Sequence, residues 1–292
     1  MTWAFGALAP FDTESSGPNP ETARLVSATV AHVAPGVDTR ITEHLVAVEE
    51  DIPAEATAVH GITTEHARAN GKPLAEVVNA LRCDLAGLLE AGTPIVGMNL
   101  SYDITLLDRE LGRLGMAGLS PAPDGIAPLI DVFVIDKAID RFRKGGRKLT
   151  DLCEFYGVRL DGAHDATFDA LGAARVAYKM CKRAEQAVMD PQAVYDLYAD
   201  RPRQAPHIVK AFQQLAGMPL DELHRQQSIW YAEQATSLAA YFRQKAAECD
   251  HLAGITTDDA ERATALQDGR ELRERADSVS TEWPLRQAGG AR

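Results

Sequence analysis

Apolar positions in the first half of the chain switch repeatedly between a period of two and a period near 3.6. Leu8–Glu14 is apolar until it reaches Asp12 and Glu14, and predicts a strand that runs into a turn over Ser15–Pro20. Ala23–Val33 and Arg40–Val48 are β-rich runs on either side of Pro35-Gly36-Val37-Asp38, the signature of a hairpin. Pro73–Gly92 gives the clearest helical pattern, with Leu74, Val77, Val78, Leu81, Leu85, Leu88 and Leu89 on one face and Gly92 and Pro94 as the stop. Pro94–Asn99 then predicts a short buried strand, and Tyr102–Leu114 a helix with Ile104, Leu107, Leu111 and Leu114 on one side. Gly118–Pro128 predicts a loop, Leu129–Ile135 a strand, and Lys148–Tyr156 and Ala166–Ala184 two helices.

That order, a hairpin followed by crossovers, predicts an α/β domain around a mixed sheet. From about Glu185 the β-branched runs disappear and glutamine, alanine, arginine and aromatic residues take over. Asp221–Glu248 predicts a long helix with Leu223, Trp230, Leu238 and Phe242 roughly on one side, and Thr257–Ala276 a strongly charged one. The expected division is therefore a domain over residues 5–185 and a helical C-terminal extension over 186–292. Trp230, Tyr231, Tyr241 and Phe242 read most simply as a face packed on the first domain, and more sharply as a homodimer or partner surface.

Composition narrows the class. At 292 residues, 46% hydrophobic and 25% charged, the chain has ordinary globular values and room for one α/β core with a smaller addition. Met1–Pro10 has no basic segment and too short an apolar stretch for a signal peptide, and no run is long enough to cross a bilayer, which predicts a cytoplasmic protein without membrane contact. The four cysteines form no C-x-x-C pair and read as core residues rather than a zinc or disulfide framework. A net charge of −12 opposes a polyanionic partner, unless several of the acids are there to hold divalent cations.

Three acidic clusters carry candidate chemistry. Phe11-Asp12-Thr13-Glu14 puts two carboxylates at i and i+2 of a strand, on the same face and within reach of one cation. Asp103, in Asn99-Leu100-Ser101-Tyr102-Asp103, opens a helix, where a favourable first-turn charge explains it as well as a metal does. His164 and Asp169 flank the start of the last helix of the domain, with Asp165 its N-cap, and fit a base beside a metal ligand. The densest basic run, Arg141–Lys148, reads either as a solvated loop or as a phosphate contact through Arg143, Lys144 and Arg147.

In order and spacing these clusters resemble the DnaQ-like exonucleases of the DEDDh class, which include polymerase proofreading subunits and RNase T-like enzymes. FDTESSG resembles the first family motif, NLSYDITLL the second and HDATFDA the third, while VHGIT and RKLTDLCEFYGV match the stretches between them. The resemblance spans roughly residues 5–185. It implies an RNase H-like exonuclease fold with a mixed five-stranded sheet flanked by helices. It further implies 3′→5′ removal of nucleoside 5′-monophosphates from single-stranded DNA or RNA ends. Asp12, Glu14, Asp103 and Asp169 would hold two magnesium or manganese ions, with His164 as general base, and Thr13, His60, Ile62, Thr63 and Asn99 would face the substrate. A plain loop role fits Ile62 and Thr63 equally. Met98 departs from the histidine frequent in the family before Asn99, which bears on substrate contacts and leaves the acids untouched.

The alternative from another class is a non-catalytic nucleic-acid-binding or polymerase-associated module that keeps the fold as scaffold. Its motivation weakens because all five catalytic residue types are present. Gln214–Leu220 has part of the spacing of peptides that dock on sliding clamps, so a polymerase or clamp partner would come through the C-terminal helices.

Overall fold

The chain enters its first strand, β1 (Ala9–Ser15), apolar and leaves it polar. Ala9–Phe11 are buried, and Asp12 and Glu14 follow on the half-buried end. The computed structural model describes residues 3–119, 128–159, 166–280 and 283, and of 166–168 the backbone alone. β2 (Leu25–Ala34) and β3 (Val37–Leu45) form the expected hairpin: Ala34 pairs with Val37 across a turn in which Gly36 takes φ 72°. Two helices of about two turns follow, α1 (Ala54–His60) and α2 (Thr64–Asn70). Neither is long enough to display a period. They fold over a small core of Val26, Ile52, Ala56 and Ala67, with Leu45, Val48 and Ile62 packed against it.

α3 (Leu74–Glu90) buries Val77, Val78, Leu81 and Leu85, four of the positions its periodicity selects. β4 (Ile95–Gly97) leads into α4 (Leu100–Arg113), which buries Ile104, Leu107 and Leu111. A Cβ on Gly97 would lie 2.6 Å from Leu100 Cδ2 and 2.8 Å from the Phe11 carbonyl oxygen, so only glycine lets β4 approach β1 here. The next strand, β5, is shorter than its apolar run predicts. It stops at Leu129–Asp131, and residues 132–135, expected to continue it, open α5 (Val132–Ile139). The cause is the Asp131 carboxylate, which accepts hydrogen bonds from the backbone N–H groups of Phe133 at 3.0 Å and Val134 at 3.4 Å as an N-cap. Residues 120–127 of the expected loop lie outside the described residues.

α6 (Leu149–Tyr156) and α7 (Ala166–Met189) follow, the latter running past its expected end at Ala184. The five strands form one sheet in the order β3-β2-β1-β4-β5, antiparallel within the first three and parallel from β1 to β5. α7 packs across β1 and β2 on one face, and α3 and α4 pack on the other. This is the mixed five-stranded sheet flanked by helices that the sequence implies. α8 (Pro191–Leu197) and α9 (Ala205–Ala216) add to the α7 side, and α10 (Leu220–Ile255) and α11 (Asp259–Asp277) complete the elements.

β5 is an edge strand, with backbone groups that would otherwise invite another chain. The first turns of α10 cover them. His224 Nδ1 accepts from Leu129 N–H at 3.2 Å, and Gln227 accepts from Asp131 N–H at 2.7 Å while donating to the Leu129 carbonyl at 2.8 Å. Gln227 is wholly buried. Gln227→Ala leaves both strand groups without a partner, so urea unfolding should register a loss of about 2 kcal/mol.

The described chain forms two compact units, one running to Gln227 and the other spanning Ser228–Trp283. In the second unit, Ala235, Ala239, Ala246 and Ala253 of α10 are buried, as are Ala265, Gly269 and Ala276 of α11. Ion pairs Arg273–Asp250 and Arg243–Asp277 tie the two helices. Among the described residues no helix is long and apolar enough to cross a membrane.

Candidate active site

Asp12 and Glu14 stand on one face of β1 because side chains two apart in a strand point the same way. Across the sheet on that face they neighbour Thr29 and Ser27 of β2. Asp103 arrives from α4, in its first turn, and Asp169 from the first turn of α7. The four carboxylates lie close enough to act on one another. Burial comes first in raising the Asp12 pKa well above the usual carboxylate range, followed by the charges of Asp103, Glu14 and Asp169. Glu14 is pushed up to about 7 by burial and then by Asp169. Asp103 also rises to about 7, chiefly through burial, despite the hydrogen bonds that favour its charged form.

Those hydrogen bonds come from Thr13. Its backbone N–H donates to Asp103 Oδ1 at 3.0 Å and its hydroxyl donates to the same oxygen at 2.6 Å. The Thr13 side chain, a candidate for substrate contact, is buried and fixes an acid. The αL conformation of Asn99, φ 61°, is one that asparagine tolerates, and it starts α4 in the direction that delivers Asp103. The Asn99 N–H donates to Asp131 Oδ1 at 3.0 Å. Asp131 is completely buried, its carboxyl is pushed up to about 6 by that burial, and its charge in turn raises Asp103. Sequence reasoning missed Asp131, because a strand drawn through Ile135 hid a helix cap. The available signal was an aspartate immediately before the helical stretch Val132–Ile139. Tyr102 ties the first motif to the second, its hydroxyl meeting Ser15 Oγ and the Gly17 carbonyl oxygen.

A cleft of about 600 Å³ opens beside Glu14, lined among others by Ser27, Thr29, Glu43, His60, Ile62 and His66. Two expected substrate residues, His60 and Ile62, therefore share a cleft with a site acid. His60 Nδ1 accepts from the Ile62 N–H at 3.1 Å, which leaves the proton on Nε2. Thr63 has a local task, its hydroxyl capping α2 by accepting from His66 N–H at 3.1 Å. His164 lies outside the described residues.

The basic run behaves differently from the phosphate-contact reading. Arg143 and Arg147 turn inward onto Asp136, which is fully buried and also accepts from the Tyr156 hydroxyl at 3.0 Å. Only 6% of the Arg143 side chain and 12% of the Arg147 side chain is exposed. Lys144 remains at the surface. The run is cationic because α5 and α6 are joined around a buried acid. Gln214–Leu220 likewise runs from the end of α9 into α10 with Leu215 buried, and Trp3 Nε1 donates to the Leu215 carbonyl at 3.3 Å.

Four carboxylates, Asp12, Glu14, Asp103 and Asp169, offer only hard oxygen donors. That donor chemistry fits a hard divalent ion. Among the described residues no set of three or more histidine, cysteine, aspartate or glutamate side chains stands preassembled around a common ion position.

The exonuclease family model RNase T matches residues 10–177, more than half of the chain. The chain belongs to that exonuclease family, and the matched span contains the first motif, the second motif, His164 and Asp169. A search among curated proteins found no match. Similar solved structures include Escherichia coli exonuclease I in a zinc-bound complex with single-stranded DNA, 16% identical with a TM-score of 0.49 over 69% of this chain and 42% of that one. Exonuclease I of Methylocaldum szegediense, moderately thermophilic, is 17% identical with a TM-score of 0.47 over 68% of this chain and 42% of that one. The nuclease domain of 3′hExo, a DEDDh family member bound to rAMP, is 19% identical with a TM-score of 0.48 over 62% of this chain and 94% of that one. The match spans less than half the length of either exonuclease I.

Proposed function

We propose that this chain is a metal-dependent 3′→5′ exonuclease that shortens DNA or RNA strands from single-stranded 3′ ends and releases nucleoside 5′-monophosphates. The observation that carries the reading is the gathering of acids around Asp12, whose carboxyl is pushed well above the usual carboxylate range by burial and then by the charges of Asp103, Glu14 and Asp169. Such mutual repulsion is costly in the free protein and is relieved by cations. Asp12, Glu14, Asp103 and Asp169 would hold two magnesium or manganese ions, which supply a nucleophile at neutral pH and neutralise charge developing on the scissile phosphate.

The protein's own groups do the rest. Thr13 and the Asp131-anchored start of α4 fix Asp103, so its approach to the site does not depend on a mobile loop. His60 and Ile62, in the cleft beside Glu14, would receive the terminal nucleotide. A water oxygen attacks phosphorus while His164 takes the water's proton, a task to which an imidazole is chemically suited. The bond from phosphorus to the 3′ oxygen breaks, that oxygen acquires a proton, and the phosphate leaves on the 5′ side of the released nucleotide. The acidic surface predicts weak long-range capture of strands and hence distributive digestion.

A 5′-labelled oligonucleotide, offered as single-stranded DNA, duplex DNA and RNA with magnesium, manganese or EDTA, tests the reading. A ladder shortening from the 3′ end, present with metal and absent in EDTA, is expected. Labelled mononucleotide released at the outset would reverse the polarity, and digestion undiminished in EDTA would remove the metal.

A further inference from the structure

Within the second unit α10 has two apolar faces, and among the described residues α11 covers only one. The buried face is the alanine series at 235, 239, 246 and 253. On another side Leu238, Tyr241, Leu252 and Ile255 are 42, 52, 53 and 64% exposed. Between them sit Lys245 and Glu248, ion-paired at 2.6 Å. The six positions are spaced 3, 4, 3, 4, 3, the a/d rhythm of a heptad repeat, and they form a stripe about 25 Å long. Large apolar side chains at that spacing on a charged surface helix mark a seam that lacks its partner helix.

The seam is its own complement when reversed. In an antiparallel pair related by a two-fold axis, the numbers of facing residues add to a constant. Setting Lys245 opposite Glu248 of a second copy puts Tyr241 opposite Leu252 and Leu238 opposite Ile255. Every apolar residue then meets an apolar residue, and each charge meets its opposite twice. A parallel pair would set Lys245 against Lys245 and Glu248 against Glu248, a like-charge arrangement at the centre of the seam.

We infer that α10 is the dimerisation element of this chain: two copies join their α10 helices antiparallel, about an axis passing between Lys245 and Glu248. The occupant is a second copy because the pattern is self-complementary in charge as well as apolarity, which a surface evolved for an unrelated partner has no reason to be. The intramolecular Lys245–Glu248 pair becomes part of a closed ring of four alternating charges.

Sedimentation equilibrium of the full chain tests this, with circular dichroism as a check on helix content. The parent chain is expected to sediment at twice its mass at tens of micromolar. Leu252→Asp, at a half-exposed position, keeps the helix and raises the dissociation constant at least tenfold. Lys245→Glu and Glu248→Lys each place like charges across the axis and weaken self-association by a similar factor. An equimolar mixture of those two variants restores the dimer, because each charge again meets its opposite. A parent chain monomeric at 100 µM overturns the inference. So does a dimer that survives Leu252→Asp, which would lie elsewhere, and so do single charge variants that associate like the parent, which parallel pairing would produce.

Discussion

In EDTA at pH 8, Asp12→Asn is expected to melt above the parent chain while losing at least about a thousandfold in nuclease rate. The rate loss follows from the proposed role, since removing one member of an ion-binding set withdraws several kcal/mol of transition-state stabilisation. The gain in stability follows from the carboxyl shifts. Asp12, Glu14 and Asp103 have folded-state pKa values raised above their unfolded values, the last two to about 7. A carboxyl so shifted binds its proton more tightly when folded. Its contribution to stability is therefore greatest below the ordinary carboxylate range and is lost as pH climbs through about 7. Above about pH 7 Glu14 and Asp103 lose their protons beside Asp12, and an uncharged asparagine takes one acid out of that crowded set without altering the side chain's size. An effect of about 2 kcal/mol, with solvent at the half-buried site screening part of the repulsion, corresponds to roughly 4–8 °C. At pH 5, below the raised values of Glu14 and Asp103, that repulsion is largely absent, and the two proteins should melt together. Saturating manganese reverses the order at pH 8, because ion binding stabilises the parent by about 2.7 kcal/mol at a hundredfold excess over its dissociation constant. Equal melting temperatures in EDTA at pH 5 and pH 8 would show that the acids do not burden one another.

Asp136→Ala should be the most damaging single change away from the acids, at about 3–5 kcal/mol in denaturant unfolding. Asp136 is fully buried and neutralises Arg143 and Arg147 while accepting from Tyr156. Without it two largely buried guanidinium groups lose their counter-charge and a buried phenol loses its acceptor. Arg147 also donates to the Asp140 carbonyl, so the damage spreads along the connection between α5 and α6. Lys144→Gln provides the contrast. It sits exposed in the same run, should change stability by less than about 0.5 kcal/mol, and is the place to look for a reduced salt slope in strand binding. A mild Asp136→Ala phenotype would return Arg143 and Arg147 to candidates for phosphate contact.

What the sequence could and could not reveal divides along the range of the interactions. The hairpin, α3 and α4 were legible because their signals are local: a Pro-Gly turn and an apolar face repeated over three or more turns. α1 and α2 were not, because two turns of helix carry no period and the core that holds them includes Val26 from a distant strand. Residues 129–135 misled because an apolar run of that length reads equally as buried strand or buried helix, and the decision rests on the single carboxylate of Asp131. The candidate acids sit in short motifs whose order along the chain carries the family resemblance. The contacts that support them lie within no such motif. Thr13 meets Asp103 across 90 positions and Gln227 meets Asp131 across 96, and no local pattern announces such pairs.

The pairing of β1 with β2 has a consequence for how this site tolerates change in chain length. Register holds from Phe11 opposite Val30 to Glu14 opposite Ser27, then slips by one so that Ser15 faces Leu25. The surplus residue is Val26, which turns into the core beneath α1 and α2. One residue gained or lost between Phe11 and Glu14 would swing an acid to the opposite side of the sheet. Beyond the slip no strand alternation sets which way a side chain faces, so the placing of the acids rests on the count before Ser15 rather than on the length of the turn after it.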